Sequence, residues 1–224
     1  MAGQRILKES AVQQSIMTAR ASPFPSAEDK DRERQMKREA VMRTAASMFC
    51  ERGYTATQMS DVASELGVTK PTIYYYFKNK EDVLVACFEA GFEMIQATLN
   101  REGEAAKTGA ERLRDVLVAY SEILTQDYGK CTARISTADL SEESRERVSQ
   151  QKRRFDNQVR SLFCDAVEDG SIPPCDIKIA TFTVLSSLNG IGRWYKPDGD
   201  LSPDQVAQAV VDQLFKGIAW PEHN

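Results

Sequence analysis

Between Thr57 and Phe77 the chain reads TQMSDVASELGVTKPTIYYYF. Lys70, Thr72, Tyr74, Tyr75 and Tyr76 place one ammonium and four hydroxyls within seven residues, with no acid among them. Such groups donate hydrogen bonds to phosphate oxygens, and phenol rings pack on sugars or thymine methyl groups. A buried helix rarely needs three adjacent phenols. The alternative is that Tyr74, Tyr75 and Tyr76 are partly buried packing residues, and one of the three is expected to pack inward in either case. Free N–H groups at the start of this segment add the positive end of a helix dipole.

The neighbouring residues must hold these groups in place. Thr57 is a suitable N-cap. Met59, Val62, Ala63 and Leu66 follow at i, i+3, i+4 and i+7, and Gly67 ends that helix. Val68 tucks into the turn, and Thr69 caps the next segment. Pro71 falls in its first turn, where a missing N–H costs little. Ile73 and Phe77 form the inward face. Helix, glycine-containing turn and short helix make a helix-turn-helix unit. Upstream, Val41, Ala45, Met48 and Phe49 form one stripe of a helix expected from about Arg34 to Arg52, stopped by Gly53.

Other chemistries have little to work with. The single histidine is His223, so a Ser-His or Cys-His pair, or a His-ligated metal, would have to rest on it. No HExxH, GxSxG, Walker A or GxGxxG pattern occurs. Cys50, Cys87, Cys131, Cys164 and Cys175 include no CxxC pair and read as reduced, mostly buried thiols. No catalytic residue, metal or cofactor is therefore expected, although unassigned carboxylates leave an enzyme formally open. No apolar run reaches the roughly 18 residues of a membrane helix, and the first residues carry no signal-peptide block. The expectation is a cytoplasmic protein that makes no membrane contact. Net charge is −4, but residues 1–80 hold 13 basic and 9 acidic groups while residues 81–224 hold 16 and 24. A basic head on an acidic body suits a nucleic-acid partner.

The stretch GYTATQMSDVASELGVTKPTIYYYFKNKEDVLVACFE, residues 53–89, resembles the DNA-binding head of the TetR family of transcriptional regulators. Gly53, Tyr54, Thr57, Asp61, Val62, Ala63, Gly67, Val68, Thr69, Thr72, Ile73, Tyr74, Phe77, Lys80, Val83 and Leu84 carry the resemblance, which covers about residues 35–95. It implies an all-α fold: a three-helix head at 34–80 with its motif at 58–77 and a helical ligand-binding and dimerisation domain at 81–224. The residues before it, 1–33, lack a sustained period and read as a flexible arm, with a DNA-tracking extension helped by Arg5, Lys8 and Arg20 as the alternative. The resemblance also implies phosphate contacts from Thr57 and Gln58, a groove-facing Ser60, and approach to base edges by Lys70, Pro71 and Thr72. Tyr74, Tyr75 and Tyr76 would meet backbone or bases, and Lys80 would bind phosphate.

The remainder reads as helices. Leu84, Phe88, Gly91, Ile95 and Leu99 stripe one, and Leu113, Val116, Leu117, Tyr120 and Leu124 the next. The segment TQDYGKCTARISTADLS is expected to be irregular or broken. Ser141–Glu168 is a long charged helix with an apolar seam of Val148, Phe155, Val159, Leu162, Phe163 and Ala166. Two more helices follow at Asp176–Tyr195 and Pro203–Ala219, the second opened by a capping box of Ser202 and Gln205. The resemblance makes these two the homodimer interface.

Tyr120, Leu124, Tyr128, Phe155, Gln158, Phe163 and Trp194 are candidates to line a ligand cavity, each read equally well as plain core. The segments LSEESRERV and IGRWYKPDGDLSPDQVA resemble family members that respond to acyl-CoA thioesters. That resemblance makes Arg153 and Arg154 candidates for the CoA or thioester, against a solvated basic face. The favoured function is a repressor released from a palindromic double-stranded DNA operator by a small apolar effector such as an acyl-CoA. A partner-controlled or architectural DNA binder without a ligand is the alternative.

Overall fold

The computed structural model describes residues 26–99 and 107–217. Within them every regular element is helical. The chain divides into two compact units at the Arg38–Glu39 boundary.

The described part of the first unit begins at Ser26 and enters helix α1 (Ala27–Arg52). Ser26 caps this helix: its hydroxyl accepts from the Asp29 N–H at 3.0 Å, and the Asp29 carboxylate accepts from the Ser26 N–H at 3.2 Å. The helix thus starts seven residues before Arg34, within the arm expected at 1–33. Its opening turns, AEDKDRERQ, are polar all round and carry no apolar period to reveal them. Pairs such as Lys37–Glu33 support them on the surface.

In the second unit, residues 39–52 of α1 bury Val41, Met42, Ala45, Ala46, Met48 and Phe49. Two short helices follow, α2 (Met59–Glu65) and α3 (Lys70–Tyr76), then α4 (Lys80–Leu99), α5 (Gly109–Thr125), α6 (Asp127–Arg134) and α7 (Glu142–Glu168). The chain continues through α8 (Ile177–Asn189), α9 (Ile191–Trp194) and α10 (Pro203–Lys216). Helix α5 is the central element, packed against α4, α6, α7, α8, α9 and α10. The expected seam of α7 is buried residue for residue, and the box of Ser202 and Gln205 forms at the start of α10.

Two stretches differ from expectation. Residues 127–134 form the helix α6, followed by a 3-10 turn at Thr137–Asp139, in place of an irregular segment. Gly129 in this segment is a close-approach residue. A Cβ at this position would lie 1.8 Å from the Ile123 carbonyl oxygen, so only glycine lets α6 turn back on α5. The expected Asp176–Tyr195 helix is interrupted at Gly190, giving α8 and α9, while Asp176 serves as the N-cap through its bond from the Ile179 N–H. Ile218 and Ala219 of the expected last helix lie outside the described residues.

Candidate functional site: a helix-turn-helix surface and a cavity behind it

Helix α2 is held by Met59, Val62 and Ala63, all buried. The turn after it closes when the Val68 N–H donates to the Ala63 carbonyl at 2.9 Å and the Gly67 N–H to the Ser64 carbonyl at 3.1 Å. Gly67 takes φ +63°, the left-handed conformation that ends a helix most cheaply with glycine. Helix α3 then starts at Lys70 with Pro71 in its first turn. Only Ile73 and the following Phe77 of this segment are fully buried.

The rest of α3, Tyr76 excepted, faces outward. Tyr74 is 43% and Tyr75 66% exposed, and Lys70, Pro71 and Thr72 are exposed beside them. Tyr76 is the inward phenol, half-buried against the core with the Tyr75 ring edge-on at 5.0 Å. The Lys70 ammonium lies 5.7 Å from the Tyr74 ring centroid, within cation–π reach. The hydroxyls of Thr69 and Thr72 bond each other at 2.8 Å, so Thr69 occupies the N-cap position without capping an N–H through its side chain. Gln58 and Ser60 are both exposed.

Two of the expected contact residues have partners inside the protein. Thr57 is fully buried, and its hydroxyl donates to the Gly53 carbonyl at 2.9 Å and the Met48 carbonyl at 3.3 Å. It pins the end of α1 to the turn and cannot offer its side chain to phosphate. Gln58 is the N-cap instead, its N–H donating to the Asp61 carboxylate at 2.9 Å. Lys80 also has another task. Its ammonium donates to the carbonyls of Tyr54 (2.8 Å), Thr55 (3.2 Å) and Thr57 (3.3 Å), engaging all three donors, and it sits 4.5 Å from the Tyr54 ring centroid. It ties the start of α4 to the turn that precedes α2.

Behind this head, α4 walls a cavity of about 500 Å³. Phe88, Gly91, Phe92 and Ile95 come from α4, Tyr120, Ile123 and Leu124 from α5, and Phe155 from α7. Tyr120 and Phe155 stack tilted at 4.8 Å, and the Tyr120 hydroxyl donates to Asn189 Oδ1 at 2.6 Å. Desolvation, helped by the Asp156 charge, raises the Tyr120 phenol well above its ordinary range. The polar lining includes Thr132, Ser136, Thr137, Lys152, Asp156, Ser186, Asn189 and Arg193. The Lys152 ammonium lies 5.0 Å from the Phe88 ring centroid; desolvation lowers its pKa, and Asp156 opposes the shift. Desolvation raises the Asp156 carboxyl against the opposing charges of Arg160 and Lys152.

Of the residues expected at a cavity, Tyr120, Leu124 and Phe155 line it. The others lie elsewhere. Tyr128 is buried with its hydroxyl on Met94 Sδ, and Phe163 is core. Gln158 exchanges two amide hydrogen bonds with Gln96, at 2.7 and 3.1 Å. Trp194 is exposed. Arg153 and Arg154 project into solvent, Arg153 toward Glu146 at 3.8 Å. The cations that reach the cavity are Lys152 and Arg193. Lys152 and Asp156 were discoverable: they stand four apart on one face of α7, and Lys152 is also three residues before Phe155.

These features define a class: an all-α protein with a helix-turn-helix head and a larger helical body that encloses a cavity. The profile of bacterial regulatory proteins of the tetR family matches residues 41–87, and that of the tetracyclin repressor-like C-terminal domain matches residues 106–218. The chain belongs to the TetR family of DNA-binding transcriptional regulators. The fatty acid metabolism regulator protein of Bacillus subtilis is 22% identical over 181 residues, spanning 80% of this chain and 93% of that protein. The transcriptional repressor KstR2 of Mycolicibacterium smegmatis is 25% identical over 192 residues, spanning 81% and 90%. The crystal structure of AibR in complex with isovaleryl coenzyme A and operator DNA is 27% identical, with a TM-score of 0.67, over 80% of this chain and 98% of that one. Among the described residues no helix is long and apolar enough to cross a membrane.

Proposed function

We propose that this regulator is a homodimeric repressor that binds a palindromic operator and leaves it when an acyl-CoA occupies the cavity of the body. The observation that carries the reading is the double duty of α4. Its residues Phe88, Gly91, Phe92 and Ile95 form one wall of the cavity, and its first residue, Lys80, holds the turn that positions α2 and α3. A ligand that pushes this wall must move the head. Release then requires only that the ligand prefer the dimer whose heads are wrongly spaced for the operator.

The lining suits the ligand class. An apolar floor of aromatic and aliphatic groups accepts an acyl chain, while Lys152 and Arg193 offer cations to a thioester or phosphate-bearing head group. AibR, whose crystal structure holds isovaleryl coenzyme A and operator DNA, supports this choice. On the DNA side, Gln58, Ser60, Lys70, Pro71, Thr72, Tyr74 and Tyr75 form the contact surface, with residues 34–80 as head and 81–224 as body. Dimerisation through α8 and α10 accounts for Ile179, Phe182 and Phe215, large apolar side chains left exposed on those helices. Two-fold pairing presents two copies of α3 to half-sites about one helical turn apart, ~34–36 Å.

The test is titration of the operator-bound protein with isovaleryl-CoA, longer acyl-CoAs and the matching free acids. Release by thioesters supports the reading. Failure of every compound to release DNA or to shift the melting temperature rejects the effector and leaves DNA binding in place.

A further inference from the structure

Helix α7 carries Lys152, Asp156 and Arg160 one turn apart, a row of cation, carboxylate and cation. Lys152 and Asp156 line the cavity. Each cation of the row is turned onto an aromatic ring of the cavity lining. The Lys152 ammonium lies 5.0 Å from the Phe88 centroid, and the Arg160 guanidinium carbon lies 5.3 Å from the Phe182 centroid. The Arg160 Nε is buried and has no hydrogen-bond partner. The carboxylate between them is therefore left over. Among the described residues Asp156 makes neither a hydrogen bond nor an ion pair, although desolvation raises its carboxyl and the two charges only oppose that shift.

Asp156 stands beside the apolar floor of the cavity. It follows Phe155, whose ring lies 4.8 Å from that of Tyr120 and 6.3 Å from that of Phe92. Tyr120 does not serve the carboxylate, because its hydroxyl proton goes to Asn189 Oδ1 at 2.6 Å. The cavity thus holds a half-buried acceptor that lacks a donor. A plain alkyl chain laid on this floor strips water from the carboxylate and returns nothing, which is costly. A ketone only accepts, so it meets the carboxylate lone pair to lone pair. A hydroxyl donates one hydrogen bond and still accepts from other groups.

We propose that Asp156 is a specificity residue that selects thioesters whose acyl chain carries a hydroxyl. This rests on the reading of the cavity as an acyl-CoA effector site and deepens it by naming the class of acyl group. The hydroxyl donates to the Asp156 carboxylate while the chain lies on Phe92, Tyr120 and Phe155. The hold of Lys152 on Phe88 and of Arg160 on Phe182 leaves the carboxylate oxygens open to the ligand.

The experiment compares butyryl-CoA, both enantiomers of 3-hydroxybutyryl-CoA, and acetoacetyl-CoA, which differ only at carbon 3, next to the chain end. Calorimetry measures binding to the DNA-free full chain, and titration of the operator complex measures release. The better hydroxy enantiomer should bind about tenfold or more tightly than the other two compounds. Asp156→Leu should erase that preference and tighten butyryl-CoA. Asp156→Asn keeps the shape and adds an amide donor, so it should move the preference toward acetoacetyl-CoA, and it decides alone if the leucine variant does not fold. Equal binding of the hydroxy and plain thioesters, tightest binding of acetoacetyl-CoA by the parent, or a hydroxyl preference that survives in the variants overturns the proposal. Uniform weakening of all compounds by Asp156→Leu places the carboxylate on the CoA arm and overturns it too. A hydroxyl preference in calorimetry without release from the operator upholds the selection and rejects the effector role, whereas no binding of any thioester rejects both.

Discussion

Ser141 gives Glu81 two hydrogen bonds, one from its hydroxyl at 2.5 Å and one from its N–H at 3.2 Å, and so joins the start of α7 to the start of α4. The preceding residue, Lys80, reaches the other way, to the carbonyls of Tyr54, Thr55 and Thr57. Two adjacent side chains therefore clamp the head turn and the body to one point on α4. The Arg147–Glu89 pair adds a second tie between α7 and α4, two turns further along. Movement of the α4 wall is delivered to the DNA-reading helices through this point.

The Lys80 geometry predicts how a substitution reads out. Lys80→Met removes three charge-assisted hydrogen bonds to the head turn, each worth about 1.5–3 kcal/mol at most and less at a half-exposed site. Operator affinity should fall because α2 and α3 lose their support. A positioning residue leaves the number of phosphate contacts unchanged, so the slope of log affinity against log salt should stay the same. A slope smaller by about one unit would restore Lys80 to the phosphate contacts.

The phenols should separate into reading and packing roles. Tyr75→Ala removes an exposed side chain, so the melting temperature should hold while operator affinity drops by roughly 1–3 kcal/mol. Tyr74→Ala should behave similarly and also lose the cation–π contact with Lys70. Tyr76→Ala should lower the melting temperature, because Tyr76 packs on the core. A gel shift and a thermal melt on each variant check the division. An unchanged gel shift for folded Tyr74→Ala/Tyr75→Ala protein would falsify the recognition role of α3.

Glu81 gives a pH signature. Its carboxyl is held below its ordinary range, first by the Ser141 hydroxyl and then by the Ser144 hydroxyl. A depressed folded pKa contributes stability above the unfolded value, about 4.3, and loses it as pH falls through the folded pKa. The stability gap between the parent and Glu81→Gln should therefore be flat above about pH 5 and narrow below pH 4. The site is largely exposed, so the gap is small, of order 1 kcal/mol or less. Urea unfolding at several pH values measures it, and a gap that widens toward acid contradicts the assignment.

The head was legible because its signals are local. Gly53 and Gly67 punctuate the helices, Pro71 marks a first turn, and Ile73 and Phe77 identify the inward face four residues apart. Thr57 was misassigned because a threonine before a helix looks like a cap whether its hydroxyl meets an N–H or, as here, carbonyls of the preceding turn. The hold of Lys80 on the head turn was hidden for a related reason: the carbonyls that accept from it lie 23 to 26 positions upstream. The cavity was half legible. Tyr120, Leu124 and Phe155 stand on helix stripes, but Phe182 and Arg193 reach the same space through the packing of α8 and α9, which no local period encodes.

The cavity makes the last prediction, in which ligand response and DNA binding should separate. Leu124 is fully buried and its side chain lines the cavity floor, so Leu124→Trp fills the space a ligand needs. The larger side chain costs about 1–3 kcal/mol of stability if the walls resist it, and less where the cavity receives it. The head does not include Leu124, so operator affinity without effector should be unchanged. Release by acyl-CoA should be lost. Lys152→Glu is the complementary change at the polar rim: it replaces the cation beside Asp156 with a second carboxylate and leaves the floor open. It should raise the concentration of acyl-CoA needed for release, while an uncharged thioester lacking the CoA phosphates is affected far less. If Leu124→Trp responds normally, the effector does not bind between α4 and α5. If Lys152→Glu weakens charged and uncharged thioesters alike, Lys152 shapes the cavity without recognising the phosphate-bearing end.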